Sequence, residues 1–97
     1  MRNVTHVLAS GGTAPAARQG EIFDPNNGGI QGKVDLGDAA VLQQAVDAAL
    51  EAQPAWAATN PQRRARVFFK FKELVETHMD ELAHMLSTEH GKVIADS

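Results

Sequence analysis

The chain has 97 residues and a mass of 10.4 kDa, so it holds one domain at most. Its hydrophobic share of 43% includes 16 alanines, which leaves 26 larger apolar side chains and predicts a thin core with marginal stability. Nine Lys and Arg against 12 Asp and Glu give a net charge of −3, which disfavours a nucleic-acid or anionic-membrane binder. The absence of cysteine excludes disulfides, Cys-based zinc sites and thiol nucleophiles within the chain. Lacking cysteines and long apolar runs, the sequence is typical of a cytoplasmic protein.

Glycine distinguishes the first third of the chain from the rest, because seven of the eight glycines lie between Gly11 and Gly37. Short apolar runs in this part predict three strands, at residues 4–8, 20–24 and 32–36. The polar segment 25–29 predicts a turn that joins the last two strands as a hairpin.

Helix-forming residues dominate from Asp38 onward, and we expect the first of three helices to begin near Gly37 or Asp38. Its apolar residues follow the spacing of one buried face: Leu42, Ala45, Val46, Ala49 and Leu50. Pro54 is expected to end this helix. Trp56 is expected in the following loop, partly buried over the helix end because its large indole favours burial.

The second helix has the clearest boundary, with Asn60 as its N-cap and Pro61 at its first position. Its predicted core stripe comprises Val67, Phe68, Phe71, Leu74 and Val75. Phe69 falls off this stripe.

The third helix is expected to start between residues 77 and 80 and to end at Gly91, which suits a left-handed C′ position. Its inward face is predicted to hold Met79, Leu82, Ala83 and Leu86. The sequence therefore predicts an α+β chain, with a short N-terminal hairpin sheet followed by three helices.

Positive charge is concentrated early in the second helix, where five side chains lie without an acid between Pro61 and Lys72: Arg63, Arg64, Arg66, Lys70 and Lys72. Five acids and no Lys or Arg follow between Glu73 and His90. Nucleic-acid binding by the basic block is one interpretation, but its side chains spread around the helix and the net charge is negative. Solvated faces with local charge pairing are favoured.

No residue pattern assembles a catalytic, cofactor or metal site. His78, His84 and His90 recur every six residues. Six residues of helix rotate the side-chain direction by about 240°, so the three histidines point to different sides of a helix. Gly91-Lys92 lacks the other residues of a phosphate loop, and neither glycine pair forms the dinucleotide-binding pattern. We therefore assign no catalytic, cofactor-binding or metal-binding residue to this chain.

The order of segments resembles the start of the aldehyde dehydrogenase superfamily. The resemblance is carried by Phe23-Asp24-Pro25-Asn26-Asn27-Gly28, by Ala45-Val46-Asp47-Ala48-Ala49, by Trp56, by Asn60-Pro61-Gln62-Arg63-Arg64-Ala65 and by Glu89-His90-Gly91-Lys92. The segments 53–66 and 86–92 are most similar to CoA-acylating methylmalonate-semialdehyde dehydrogenases.

This resemblance implies that residues 1–97 are an incomplete, leading part of a Rossmann-type NAD-binding domain in a parent about five times longer. The parent would use a cysteine thiolate, NAD and CoA to convert the semialdehyde to acyl-CoA with loss of CO2. Neither the thiol nor a Gly-rich cofactor loop is present, so the chain alone is expected to be inactive and to bind no cofactor. Arg64 and Lys92, at recurrent family positions, are interpreted as structural salt-bridge or cap residues.

The expected partner is the remainder of the parent subunit, or a second copy through the helix faces of Val67, Phe68, Phe71, Leu74 and Val75, with Phe69 as a further contact. Alone, the chain is expected to self-associate or to stay partly molten. The main alternative is a stand-alone helical module whose second helix binds another protein. A third alternative is nucleic-acid binding through residues 63–72, which predicts affinity that falls steeply with salt.

Overall fold

The computed structural model describes residues 1–13 and 15–97. These residues divide into two compact units. The first unit comprises Met1–Ile22 and Ile30–Ala58, and the second comprises Phe23–Gly29 and Thr59–Ser97.

The first unit contains two small sheets and one helix. Its strands are β1 (Arg2–Val4), β2 (Val7–Leu8), β3 (Gly11–Gly12), β4 (Arg18–Phe23, whose last residue belongs to the second unit) and β5 (Ile30–Leu36). One sheet has the order β1-β5-β4, and the other pairs β2 with β3 in antiparallel fashion. β1 runs parallel to β5, with Val4 opposite Val34. The fold is thus α+β, as predicted. It has two small sheets, whereas the sequence predicted a single hairpin sheet.

The predicted strand 4–8 is two strands in the structure. β1 pairs with β5 whereas β2 pairs with β3, so the chain changes partner at Thr5 and His6. The other two predicted strands are confirmed as β4 and β5, each beginning two residues earlier than expected. A six-residue connection is too short for a parallel crossover, so β4 and β5 form the expected hairpin.

Side-chain oxygens hold the hairpin loop, which belongs to the second unit. The Asp24 carboxylate accepts from the Asn26 amide at 2.8 Å, and Asn27 Oδ1 accepts from the Gly29 amide at 2.7 Å. The Asp24 amide donates to the Gly29 carbonyl at 2.8 Å and closes the loop. These Asx turns explain why Asp and Asn occupy the segment between the strands.

Helix α1 (Ala39–Ala58) begins at the expected place, and Asp38 is its N-cap because its carboxylate accepts from the Val41 amide at 2.9 Å. The prediction that Pro54 ends this helix is wrong. α1 continues through Pro54 to Ala58, so Trp56 lies in the helix rather than in a loop. Proline already has a helical φ, and the alanines around it are the strongest helix formers. Trp56 is exposed, with 41% of its surface open to solvent, so the predicted partial burial over the helix end is not found.

Two helices form most of the second unit. α2 (Pro61–Thr77) has Asn60 as its N-cap, whose Oδ1 accepts from the Arg63 amide at 2.9 Å, and Pro61 at its start. α3 (Met79–His90) ends at Gly91, whose φ of 87° is left-handed, and a short 3-10 turn follows at Ile94–Asp96. The predicted start of α2 and the predicted start and end of α3 are therefore confirmed.

The predicted buried faces of the helices are largely open to solvent. Ala48 is the one buried apolar residue among those the structure describes. The predicted core stripe of α2 is not a core within the unit, because four of its residues are at least 47% exposed, namely Val67, Phe68, Phe71 and Leu74. Leu42, Leu50, Met79 and Leu82 on the other helices are also exposed. The helices have the expected apolar faces, but the described residues do not bury those faces.

Candidate functional site

The second unit has an exposed apolar patch on α2. Val67, Phe71 and Leu74 lie on one side of the helix because their spacings of four and seven residues bring them into line. Together with Arg66 and Lys70 they line a shallow, open depression. An apolar floor with a basic edge can bind another polypeptide, but it contains no group for covalent or acid-base chemistry.

Arg64 lies beside this patch. Its spacing of four, seven and eleven residues from Phe68, Phe71 and Val75 places it on the same side of α2. The residue is half-buried, its Nε is shielded from solvent, and that atom has no hydrogen-bond partner among the described residues. The predicted salt bridge of Arg64 is therefore not formed within the part of the chain described. The family resemblance singled out Arg64, but no sequence pattern indicated that its Nε would lack a hydrogen-bond acceptor.

The other basic residues of α2 are solvent-exposed. Lys70 pairs with Glu73 at 3.4 Å and Lys72 pairs with Glu76 at 3.0 Å, and all four side chains are more than half exposed. Such pairs within one helix contribute little to stability. Their presence supports the interpretation of solvated faces over that of a nucleic-acid surface.

The histidines lie where helical geometry separates them. His78 is the residue between α2 and α3, and its Nδ1 lies 3.0 Å from a carboxylate oxygen of Glu81. His84 and His90 follow on α3, six residues apart. Within residues 1–13 and 15–97, no three His, Cys, Asp or Glu side chains are grouped closely enough to hold a metal ion. Nor does the described part of the chain contain a helix with the length and apolar character needed to cross a membrane.

The hairpin loop contacts the end of α3. Asn26 Nδ2 donates to the Ser87 carbonyl at 3.4 Å, and a Cβ added to Gly91 would lie 3.1 Å from Pro25 Cγ. Ser87 is buried, and its hydroxyl lies 2.8 Å from that of Ser97 rather than against a histidine or carboxylate. This serine is therefore structural. The contact between loop and helix was not predicted, because local sequence patterns do not report residues 61 positions apart.

Two polar features occur in the first unit. Asp35 is buried, and its carboxylate accepts from Gln19 Nε2 at 2.7 Å, which links β5 to β4. His6 Nε2 is shielded from solvent and has no hydrogen-bond partner among the described residues. The same atom would lie 3.6 Å from a Cβ added to Gly37. The Gln19–Asp35 hydrogen bond joins two strands of the sheet, and neither feature forms a catalytic pair.

The first unit does not fit a dinucleotide site. Only α1, among the helices described, directly follows a strand, and one residue, Gly37, precedes its N-cap. The Asp38 carboxylate accepts from the Val41 amide at this helix start, and its negative charge repels a phosphate there.

Comparison with known proteins shows which protein family this chain belongs to. The sequence pattern of the Aldehyde dehydrogenase family matches residues 13–97, and this chain belongs to that family. It is 37% identical to a malonate-semialdehyde dehydrogenase of Pseudomonas aeruginosa over 97 residues, which are 100% of this chain and 20% of the relative.

Two solved structures share its fold. One is an NAD complex of a Sinorhizobium meliloti protein assigned as a methylmalonate-semialdehyde dehydrogenase, with a TM-score of 0.93 and 50% identity. The other is a methylmalonate-semialdehyde dehydrogenase of Oceanimonas doudoroffii, with a TM-score of 0.93 and 38% identity. Each comparison covers 99% of this chain and 20% of the solved one. The chain thus spans about a fifth of the length of these relatives.

Proposed function

We propose that this chain is the leading segment of the NAD-binding domain of a CoA-acylating, NAD-dependent malonate- or methylmalonate-semialdehyde dehydrogenase. The parent would convert the semialdehyde to acyl-CoA with loss of CO2, in the cytoplasm. One observation carries the proposal: 99% of the chain follows the backbone of a relative solved with NAD, at a TM-score of 0.93 and 50% identity.

The role proposed for these residues is structural. The chain has no cysteine to supply a thiolate, and its strand-to-helix turn places a carboxylate where a pyrophosphate would bind. NAD and CoA are therefore assigned to the whole enzyme and not to this chain alone. Its residues contribute a small sheet and three helices on which the rest of the subunit packs.

A chimera tests this proposal directly. The 97 residues would replace the matching first fifth of the Sinorhizobium meliloti relative, and formation of NADH would be followed with methylmalonate semialdehyde and CoA. The chimera is expected to turn over substrate in a CoA-dependent manner, whereas the isolated chain is expected to form no NADH. Turnover by the isolated chain, or a folded chimera without activity, would contradict the proposal.

The exposed patch on α2 supports one rival function, a stand-alone helical module that binds another protein. The two proposals differ in what the gene encodes. A reading frame that continues into a cysteine-bearing sequence supports the dehydrogenase. A frame that stops after Ser97 supports the module.

A further inference from the structure

We propose that Asn27, in the loop of the hairpin, is a site of spontaneous deamidation. The Gly28 amide nitrogen attacks the side-chain amide carbon of Asn27, and the hydrogen bonds of the closed loop slow this reaction. The inference does not rest on the proposed function, because it depends only on the hairpin loop and the end of α3, which both belong to the second unit.

Asn27 is the asparagine whose neighbour leaves the attack open. The chain has asparagine at positions 3, 26, 27 and 60, and only Asn27 precedes a glycine. Gly28 has no Cβ to hinder the approach of its nitrogen to the preceding side chain. Asn60 is blocked from the same reaction, since Pro61 has no amide proton to lose. Asn27 and Gly28 are both exposed to solvent, so water and base reach them.

The reaction conserves atoms and needs water as its only co-reactant. The Gly28 nitrogen gives its proton to solvent base and bonds to Asn27 Cγ, and the side-chain nitrogen takes a proton from solvent and leaves as ammonia. Water then opens the cyclic succinimide at one of its carbonyl carbons. Opening at Cγ gives aspartate, whereas opening at the main-chain carbonyl gives isoaspartate, in which the backbone runs through the side-chain carbon. Nothing is oxidised or reduced.

The closed loop engages both groups that react. The Gly28 amide donates to the Asp24 carbonyl at 2.7 Å, so loss of its proton breaks this bond and places an anion against a carbonyl oxygen. Asn27 Oδ1 accepts from the Gly29 amide at 2.7 Å, which fixes the side chain in a turn. The Gly28 bond has to break before the ring closes. The reaction therefore proceeds from the opened loop, whose population is set by the free energy of local opening.

One side chain links the loop to α3. Asn26 Nδ2 donates to the Asp24 carboxylate at 2.9 Å and to the Ser87 carbonyl at 3.4 Å. Isoaspartate at position 27 would lengthen the backbone between the Asp24 carbonyl and the Gly28 amide that bonds to it. Conversion to isoaspartate is therefore expected to loosen the loop at the point where it contacts α3.

The experiment follows conversion in the 97-residue chain, incubated at mildly alkaline pH in buffer and, in parallel, in concentrated urea. Peptide mass spectrometry detects the replacement of the amide nitrogen by oxygen at each asparagine, and electron-transfer fragmentation separates aspartate from isoaspartate. Hydrogen exchange of the Gly28 amide in the same samples measures opening of the loop. Asn27→Gln is the matched control, because the longer side chain does not form the succinimide ring.

In urea, Asn27 is expected to convert before the other three asparagines. In buffer, its conversion is expected to be slower by about tenfold or more, because the Gly28 hydrogen bond has to open first. The ratio of the two rates should equal the protection of the Gly28 amide against exchange, since both processes need the same opening.

Asn26→Ala tests the link between the loop and α3. It removes the side-chain bonds to Asp24 and Ser87 but leaves Asn27 and Gly28 unchanged. It is expected to accelerate conversion of Asn27 in buffer by roughly threefold, because the loop opens more often. The rate in urea should not change, since the loop is already open there.

Three results would overturn the inference. Conversion of another asparagine ahead of Asn27 in urea would show that the site is wrong. Equal rates in buffer and in urea, or fast conversion while the Gly28 amide is protected, would show that the closed loop does not slow the reaction. An Asn27→Gln chain whose loop peptide gains the same mass at an unchanged rate would place the reaction at Asn26.

Discussion

Asn60 and Pro61 set the start of α2 by local chemistry alone. Asn60 Oδ1 accepts from the Arg63 amide, and Pro61 occupies a position whose amide has no helical partner. Gly91 ends α3 in the same local way, with a φ of 87° that a residue with a Cβ adopts at a cost. These capping residues interact with backbone groups within one helical turn of their own position. Local sequence patterns therefore predict them.

Replacing Asn60 with alanine is expected to destabilise α2 by about 1 kcal/mol, because one amide of the first turn loses its acceptor. The measurement is helical content by circular dichroism in the isolated chain and the unfolding midpoint in the chimera. Gln62→Ala is the control, since Gln62 is exposed and alanine is a better helix former. An equal loss in both variants would contradict the capping role.

Gly91→Ala is expected to destabilise the end of α3 by about 1 kcal/mol or more. The new Cβ would sit in a left-handed backbone and 3.1 Å from Pro25 Cγ. Gly12→Ala is the control, because nothing lies within 4 Å of a Cβ at that position. Hydrogen exchange of the 23–29 loop and the last turn of α3 measures the effect, and unchanged protection in Gly91→Ala would disprove it.

At the scale of elements, strand pairing and helix packing depend on contacts that local sequence patterns do not predict. β1 and β5 approach so closely that a Cβ on Gly32 would lie 2.6 Å from the Arg2 carbonyl oxygen. α1 continues through Pro54 although proline disfavours a helix interior. α2 carries all its large apolar residues except Phe69 on one side, yet none of them is buried within the unit.

Gly32→Ala is expected to separate β1 from β5, because the carbonyl oxygen it meets is backbone and has little room to shift. In the chimera the unfolding midpoint should fall, and amide exchange of residues 2–4 should accelerate. Gly12→Ala again serves as the control, since it adds a Cβ to open space in the other sheet. Unchanged exchange in β1 would mean that the pairing tolerates the added methyl group.

The patch on α2 predicts how the isolated chain associates when the remainder of the subunit is absent. Phe71→Ser should weaken self-association by about tenfold, because Phe71 continues the surface of Val67 and Leu74. Phe69→Ser should weaken it less, since Phe69 lies about 200° around the helix from Phe71. Sedimentation velocity over a range of concentrations measures both. A larger effect of Phe69→Ser would identify the opposite side of α2 as the contact.

At the scale of the whole molecule, the described residues lack a core. The exposed large apolar residues occur on every helix, whereas Ala48 is the one buried apolar residue of residues 1–13 and 15–97. Alanine contributes little area, so burial offsets only a small part of the conformational entropy lost on folding. Such a chain needs further polypeptide to reach the stability of a typical domain.

The isolated chain is therefore expected to unfold without a sharp transition and to bind a hydrophobic dye such as ANS. Thermal scans by near-UV and far-UV circular dichroism measure this, since a partly molten chain loses the first signal before the second. The chimera is the control and should unfold cooperatively. A compact monomer with coincident, cooperative transitions would contradict the expectation.

The sequence by itself determined the α+β order of elements, the caps at Asn60 and Gly91 and the place of the hairpin turn, because each depends on neighbouring residues. Its motifs also indicated the family that the comparisons confirm. Only the tertiary structure decided the pairing of β1 with β5 and the contact of Asn26 with Ser87. Those features depend on residues far apart in the chain, and hydrophobic periodicity states which face seeks burial but not what covers it.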